Sequence, residues 1–151
     1  MRKLLISLLA VAVLGAGSAF AQSGYWAGVS AGWPGAALHF GVENAVAGLD
    51  LRANVSSTYG FTLGLGADVL YGLDVDLGAL PLDTYVGGGL SVVFVPGAVG
   101  FGGGLFGGIE YRLGELGLPE GGIFFEVGPS FLIVPAFGFG VGARLGFNYH
   151  F

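Results

Sequence analysis

Residues 137–151 read FGFGVGARLGFNYHF. Phe137, Phe139, Val141, Ala143, Leu145, Phe147, Tyr149 and Phe151 alternate with Gly138, Gly140, Gly142, Arg144, Gly146, Asn148 and His150. Successive side chains of a strand point to opposite faces. The pattern therefore predicts one long strand with an unbroken apolar face, backed by a face of glycine and polar residues.

The same division recurs upstream. Leu49, Leu51, Ala53 and Val55 alternate with Asp50, Arg52 and Asn54, and Phe61, Leu63, Leu65, Ala67 and Val69 with Thr62, Gly64, Gly66 and Asp68. Phe101, Leu105, Ile109 and Tyr111 share a face opposite Gly102, Gly104, Gly108, Glu110 and Arg112. Eight segments carry the period of two: 25–33, 36–43, 47–55, 60–71, 83–94, 98–112, 122–133 and 137–151. Pro34–Gly35, Ser56–Ser57, Pro96–Gly97 and Pro135–Ala136 punctuate alternate junctions as turn signals. Residues 73–80 either extend the fourth strand or form a longer connection. Ten strands fit the length only if they are very short.

The composition says where such strands belong. Of 151 residues, 54% are hydrophobic, 32 are glycine and 10% are charged, whereas a soluble domain covers its surface with about 25% charged residues. This argues against a conventional soluble enzyme and against disorder. Ten acids against five Lys and Arg leave no cationic surface for nucleic acid. Absence of cysteine removes disulfides, thiolate metal sites and thiol catalysis. At the N-terminus, Arg2 and Lys3 precede the apolar run Leu4–Leu14 and the small-x-small triplet Ala19-Phe20-Ala21. Residues 1–21 thus read as a secretory signal peptide, leaving 22–151 as the mature domain.

An exported chain this apolar calls for a membrane. A helix is a poor candidate for the uncharged stretch Val86–Ile109, which carries many glycines and Pro96, each glycine weakening a helix by about 1 kcal/mol. Strands in lipid must close into a barrel, because hydrocarbon offers no partner for an unpaired edge. The expectation is an all-β, antiparallel, up-and-down transmembrane barrel of eight strands, both termini on one side.

Taken together, the signal peptide, the length and the alternating ending Leu145, Phe147, Tyr149, Phe151 resemble the small outer-membrane barrels of the OmpA, OmpX and OmpW type. The resemblance implies a bacterial outer-membrane location with periplasmic termini. It also implies a C-terminal signal read by the barrel-assembly machinery, outer-membrane lipids as surroundings, and a monomer without cofactor. The connections near residues 34, 57, 96 and 135 are short and those near 72–82 and 113–121 longer, the reverse of that family's usual arrangement, which argues against adhesion or phage-receptor roles. An ending at the barrel leaves no room for a peptidoglycan-binding domain.

Two residue sets carry the remaining expectations. Tyr25, Tyr71 and Tyr111 at one set of strand ends, and Trp33, Phe61, Phe94, Phe101, Phe131 and Phe137 at the other, suit the aromatic girdles of a membrane barrel. Glu43, Asp50, Arg52, Asp68, Glu110, Arg112, Glu126 and Arg144 have inward parity, and charges in a narrow lumen must pair. Glu110, Glu126 and Arg144 are expected to share one network. This set reads as a structural filling of the lumen, since eight strands enclose just enough space for side chains; a narrow, ion-selective channel is the functional alternative. No catalytic or metal residues stand out, because His39 and His150 lie in no nucleophile motif and His39 with Glu43 is a weak acid–base pair. Two further alternatives are a binder of a small apolar solute or lipid, and a secreted glycine-rich protein that self-assembles through stacked sheets.

Overall fold

A computed structural model describes residues 24–58, 62–75, 78, 80–133 and 137–151. Eight strands follow one another: β1 (Tyr25–Trp33), β2 (Gly35–Val46), β3 (Leu49–Thr58), β4 (Thr62–Leu73), β5 (Leu82–Val95), β6 (Ala98–Arg112), β7 (Gly121–Leu132) and β8 (Gly138–His150), with a 3-10 turn at Leu113–Leu116 between β6 and β7. Each pairs antiparallel with its neighbours, and β8 returns to β1 to close the barrel. At that seam Trp26 faces His150 and Trp33 faces Ala143. Tyr25 and Phe151 exchange both backbone hydrogen bonds, at 3.0 and 2.8 Å, so the C-terminal residue itself completes the ring. The signal-peptide segment 1–21 lies outside the described residues.

Turn chemistry moves several boundaries from their expected places. Ser56 and Ser57 do not turn the chain. They remain in β3, paired with Gly64 and Leu63, and β4 begins at Thr62. Between β2 and β3 the reversal is a two-residue loop, Ala47–Gly48, with φ of 48° and 85°, the left-handed pair that a type I′ hairpin requires. Just before it, Asn44 at φ 50° sits in an irregularity between Val42 and Val46, which lengthens β2 past its expected end. β4 stops at Leu73 and β5 starts at Leu82, and the described residues between them lie outside any strand. The end of the barrel carrying the termini therefore has the two longer connections, and the opposite end has short ones.

The register sorts side chains by parity. Leu63, Leu65, Leu90, Phe101, Leu105, Phe139, Val141 and Leu145 stand exposed on the outer wall, Leu90 and Phe139 at 72%. The most buried residues, among them Trp26, His39, Arg52, Phe124 and Glu126, point inward. The arrangement inverts a soluble protein: apolar outside, polar and aromatic inside. That is the polarity lipid selects.

Inward glycines have a specific job. Trp26 pairs with Gly41, Tyr85 with Gly108 and Phe106 with Gly87, and Phe124 with Gly146. In every case the ring lies over its partner glycine, where a β-carbon would collide with it. A lumen this narrow holds a ring only where the facing strand offers bare backbone, as in aromatic coverage of strand glycines.

Candidate functional site

The lumen contains the chain's concentrated polar chemistry. Halfway along it, Arg52 on β3 crosses the barrel. Its Nε donates to Asp68 Oδ2 on β4 at 2.8 Å, and its Nη1 and Nη2 donate to the two carboxylate oxygens of Glu126 on β7 at 2.6 and 3.3 Å. The fork geometry of a guanidinium suits two carboxylates on opposite walls. Arg144 on β8 donates from Nε to Glu126 Oε2 and approaches Asp68 at 3.8 Å. Tyr85 donates its hydroxyl to Glu126 Oε1 at 2.8 Å, and Asn54 donates to Asp68 at 3.1 Å. Phe106 packs beneath both guanidiniums, 4.9 Å from the Arg52 carbon and 5.4 Å from that of Arg144. Two cations and two anions balance, and Arg52 and Glu126 side chains are each 1% exposed.

A second layer lies toward the termini. His150 places one ring nitrogen 2.9 Å from Glu43 Oε1 and the other 2.8 Å from Glu110 Oε1, joining β2 to β6 from the end of β8. Asn148 donates to Glu110 Oε2 at 2.7 Å. Arg112 donates to Asp83 Oδ2 at 2.7 Å and stands 3.7 Å from Glu110. Asp50 accepts the Asn44 backbone N–H at 2.8 Å. The imidazole separates the two carboxylates it touches, and among the described residues no group of three His, Cys, Asp or Glu side chains is placed to hold a metal. Between the layers, His39 packs edge-on against Trp26 and Phe124, with ring centroids at 5.6 and 5.4 Å, away from Glu43.

The eight inward charges thus divide. Arg52, Asp68, Glu126 and Arg144 meet at mid-barrel, while Glu43, Asp50, Glu110 and Arg112 belong to the terminal layer. Glu110 does not join Glu126 and Arg144: it faces Phe124 across the β6–β7 ladder, one inward position nearer the termini than Glu126. The charge pattern alone missed Tyr85, Asp83, Asn148 and His150. Their inward parity was visible, but only the barrel's curvature shows which strands face each other across the lumen.

Cavities lie on both sides of the mid-barrel plug. The one toward the short connections measures about 250 Å³ and is lined by glycines together with Ser56, Ser91, Ser130 and Asn54, over a floor of Phe106, Asp68 and Arg144. The one toward the termini, about 410 Å³, is bordered by Glu43, Asp50, Asp83, Glu110, Arg112 and His150.

On the outer wall Trp33, Tyr71, Phe94, Phe101, Phe131 and Phe137 are exposed, Tyr25 and Tyr111 are half-buried, and Phe61 falls outside the described residues. Of the terminal residues Leu145, Phe147, Tyr149 and Phe151, the last stacks on Tyr25 at 6.3 Å and on Tyr149 at 6.4 Å, and Tyr25 in turn stacks on Phe40 at 5.9 Å. An aromatic cluster thus covers the closing seam.

No family model matches the sequence, and no curated protein matches it. Two solved structures are similar to it. The N-terminal β-barrel domain of Pseudomonas aeruginosa OprF is 13% identical, with 85% of this chain and 96% of that one covered and a TM-score of 0.51. Neisserial surface protein A is also 13% identical, over 84% of this chain and 93% of the other, with a TM-score of 0.46. At this identity the OprF likeness speaks to architecture, and in architecture the chain is a closed, eight-stranded antiparallel barrel of the kind small outer-membrane proteins adopt.

Proposed function

We propose that this protein is a small, non-enzymatic barrel of the bacterial outer membrane, with both termini in the periplasm and a lumen filled by side chains, serving the envelope structurally. The observation that carries the reading is the Arg52 crossbar: a buried cation bonded to carboxylates on opposite walls, inside a barrel whose outer face is apolar. Closure of β8 on β1 leaves no edge for stacking into fibres, which weighs against self-assembly. The lipids of that membrane are its surroundings, and the aromatic C-terminal strand is what the barrel-assembly machinery would read.

Fractionation and planar-bilayer recording test it. The protein is expected to co-purify with outer membranes, to run as a heat-modifiable monomer in detergent gels, and to give no stable conductance steps. Well-defined open levels in the wild type would replace the plugged lumen with the channel reading. A binding role is the second reading, favoured by the glycine-lined and serine-lined cavity above the plug.

A further inference from the structure

The wall beside the cavity above the plug has one weak seam. β6 and β7 pair in constant register from Arg112↔Gly122 to Gly107↔Val127 and again from Gly104↔Ser130 to Gly102↔Leu132, but Leu105 and Phe106 are not paired with Pro129 and Gly128. The cause is in the sequence: Pro129 carries no N–H to donate to the ladder. At the β1–β8 seam, which borders the same cavity, pairing is unbroken from Trp26 to Trp33. Pairing in the β4–β5, β5–β6 and β7–β8 ladders is likewise continuous. β2–β3 has its irregularity at the terminal end instead.

Three features converge on the gap. The cavity lining includes Leu105, Val127 and Pro129, whose side chains belong to the outer wall, so the cavity reaches the backbone of this seam. On the outer face, Gly103 and Gly107 flank Leu105, leaving the wall thin. At the gap the strands touch by bare backbone: a β-carbon on Gly128 would collide with the Leu105 carbonyl oxygen. The seam is shut, but with one ladder donor fewer than a strand without proline would supply. In lipid, separating strands elsewhere would strand unpaired backbone groups; here part of that cost is already absent.

We propose that the β6–β7 seam at Leu105–Pro129 is a lateral entry, through which a single-chain amphiphile with an uncharged, hydroxyl-bearing head passes from the bilayer into the cavity above the plug. The head chemistry follows from the lining. Ser56, Ser91, Ser130 and Asn54 offer hydroxyl and amide groups, and the floor below is charge-balanced, with Arg144 already engaged by Glu126 and Asp68. The proposal rests on the reading of a lipid-embedded barrel and deepens its binding alternative.

The test uses vesicles containing a monoacylglycerol with a diazirine on its chain, illuminated and mapped by peptide mass spectrometry. Wild type is expected to carry adducts at inward Ser91, Phe106 and Ser130 as well as at outward Leu63 and Val141. Pro129→Val restores the missing donor, and inward adducts should fall about tenfold, the effect of one ladder hydrogen bond of ordinary net strength on an opening equilibrium. Because the chain has no cysteine, Gly107→Cys with Val127→Cys, paired across the seam and with open space at Gly107, locks it when oxidised and frees it when reduced. Inward labelling that follows the redox state supports the lateral entry. Outward adducts without inward ones in wild type overturn this inference alone. Inward adducts unaffected by both variants also overturn it, by placing entry at the barrel mouth. Stronger inward labelling by the corresponding diazirine fatty acid overturns the uncharged-head assignment. Absence of outward adducts overturns the membrane reading itself.

Discussion

Replacing Arg52 with alanine removes a fully buried side chain that ties opposite walls of the barrel together at mid-lumen. Three hydrogen bonds, to Asp68 and to both oxygens of Glu126, disappear at once. Glu126, itself 1% exposed, is then left with Arg144 and Tyr85, and Asp68 with Asn54 and a distant Arg144. Breaking a buried pair by deleting one partner costs about 3–5 kcal/mol, because the surviving charge stays desolvated. Arg144→Ala should cost less, on the order of 1–3 kcal/mol, since the Arg144 side chain is 27% exposed and Glu126 keeps the Arg52 fork. Arg112→Ala should cost under about 1 kcal/mol, its Asp83 partner being 57% exposed. Urea unfolding in detergent micelles, followed by tryptophan emission, measures all three; Trp26 lies 6.0 Å from the Arg52 guanidinium carbon and reports the plug directly. An Arg52→Ala protein as stable as wild type, or more stable than Arg144→Ala, would refute the crossbar. Arg52→Met and Arg144→Met combined with Asp68→Asn and Glu126→Gln should recover most of the loss, because a set that is neutral throughout leaves no charge unpaired. The same alanine variant should show conductance steps in planar bilayers that wild type lacks.

Other expectations follow from register and closure. Val141→Arg places a guanidinium on the lipid face and should destabilise by roughly 2–4 kcal/mol near mid-membrane, whereas Gly140→Ser, facing open lumen beside Ser130, should unfold in urea close to wild type; equal effects would mean that the faces are reversed. Gly146→Ala sets a methyl group against the Phe124 ring and should cost about 1–3 kcal/mol, while Gly107→Ala, which meets nothing within 4 Å, should be near neutral in the same assay. Phe151→Asp breaks the aromatic cluster over the β1–β8 seam and should lower outer-membrane levels without blocking export; unchanged levels in fractionated cells would show that the terminal ring is dispensable.

Strand number, faces and closure were legible in the sequence because a lipid-facing wall enforces a period of two along its entire length. Leu63 and Val141 could hardly be placed anywhere but outside. Boundaries were less legible where local chemistry was ambiguous: Ser56 and Ser57 look like turn residues, yet they continue β3 because Gly64 and Leu63 stand opposite to pair with them. The mid-barrel site was half legible. Inward parity nominated Arg52, Asp68, Glu126 and Arg144, but it could not separate them from Glu110, which sits one inward position away on its ladder and meets His150 and Asn148.

Alternation alone is enough to place strands with an apolar outer face and, given the cost of an open edge in lipid, to close them into a ring. It is enough because each strand's two faces meet different solvents. Which inward residues touch is set by the closed barrel. Contacts across a lumen depend on stagger and curvature, which bring Arg52 of β3 to Glu126 of β7 and set Trp26, Tyr85, Phe106 and Phe124 over their partner glycines. No local pattern encodes a neighbour 74 residues away; the closing of the barrel creates it.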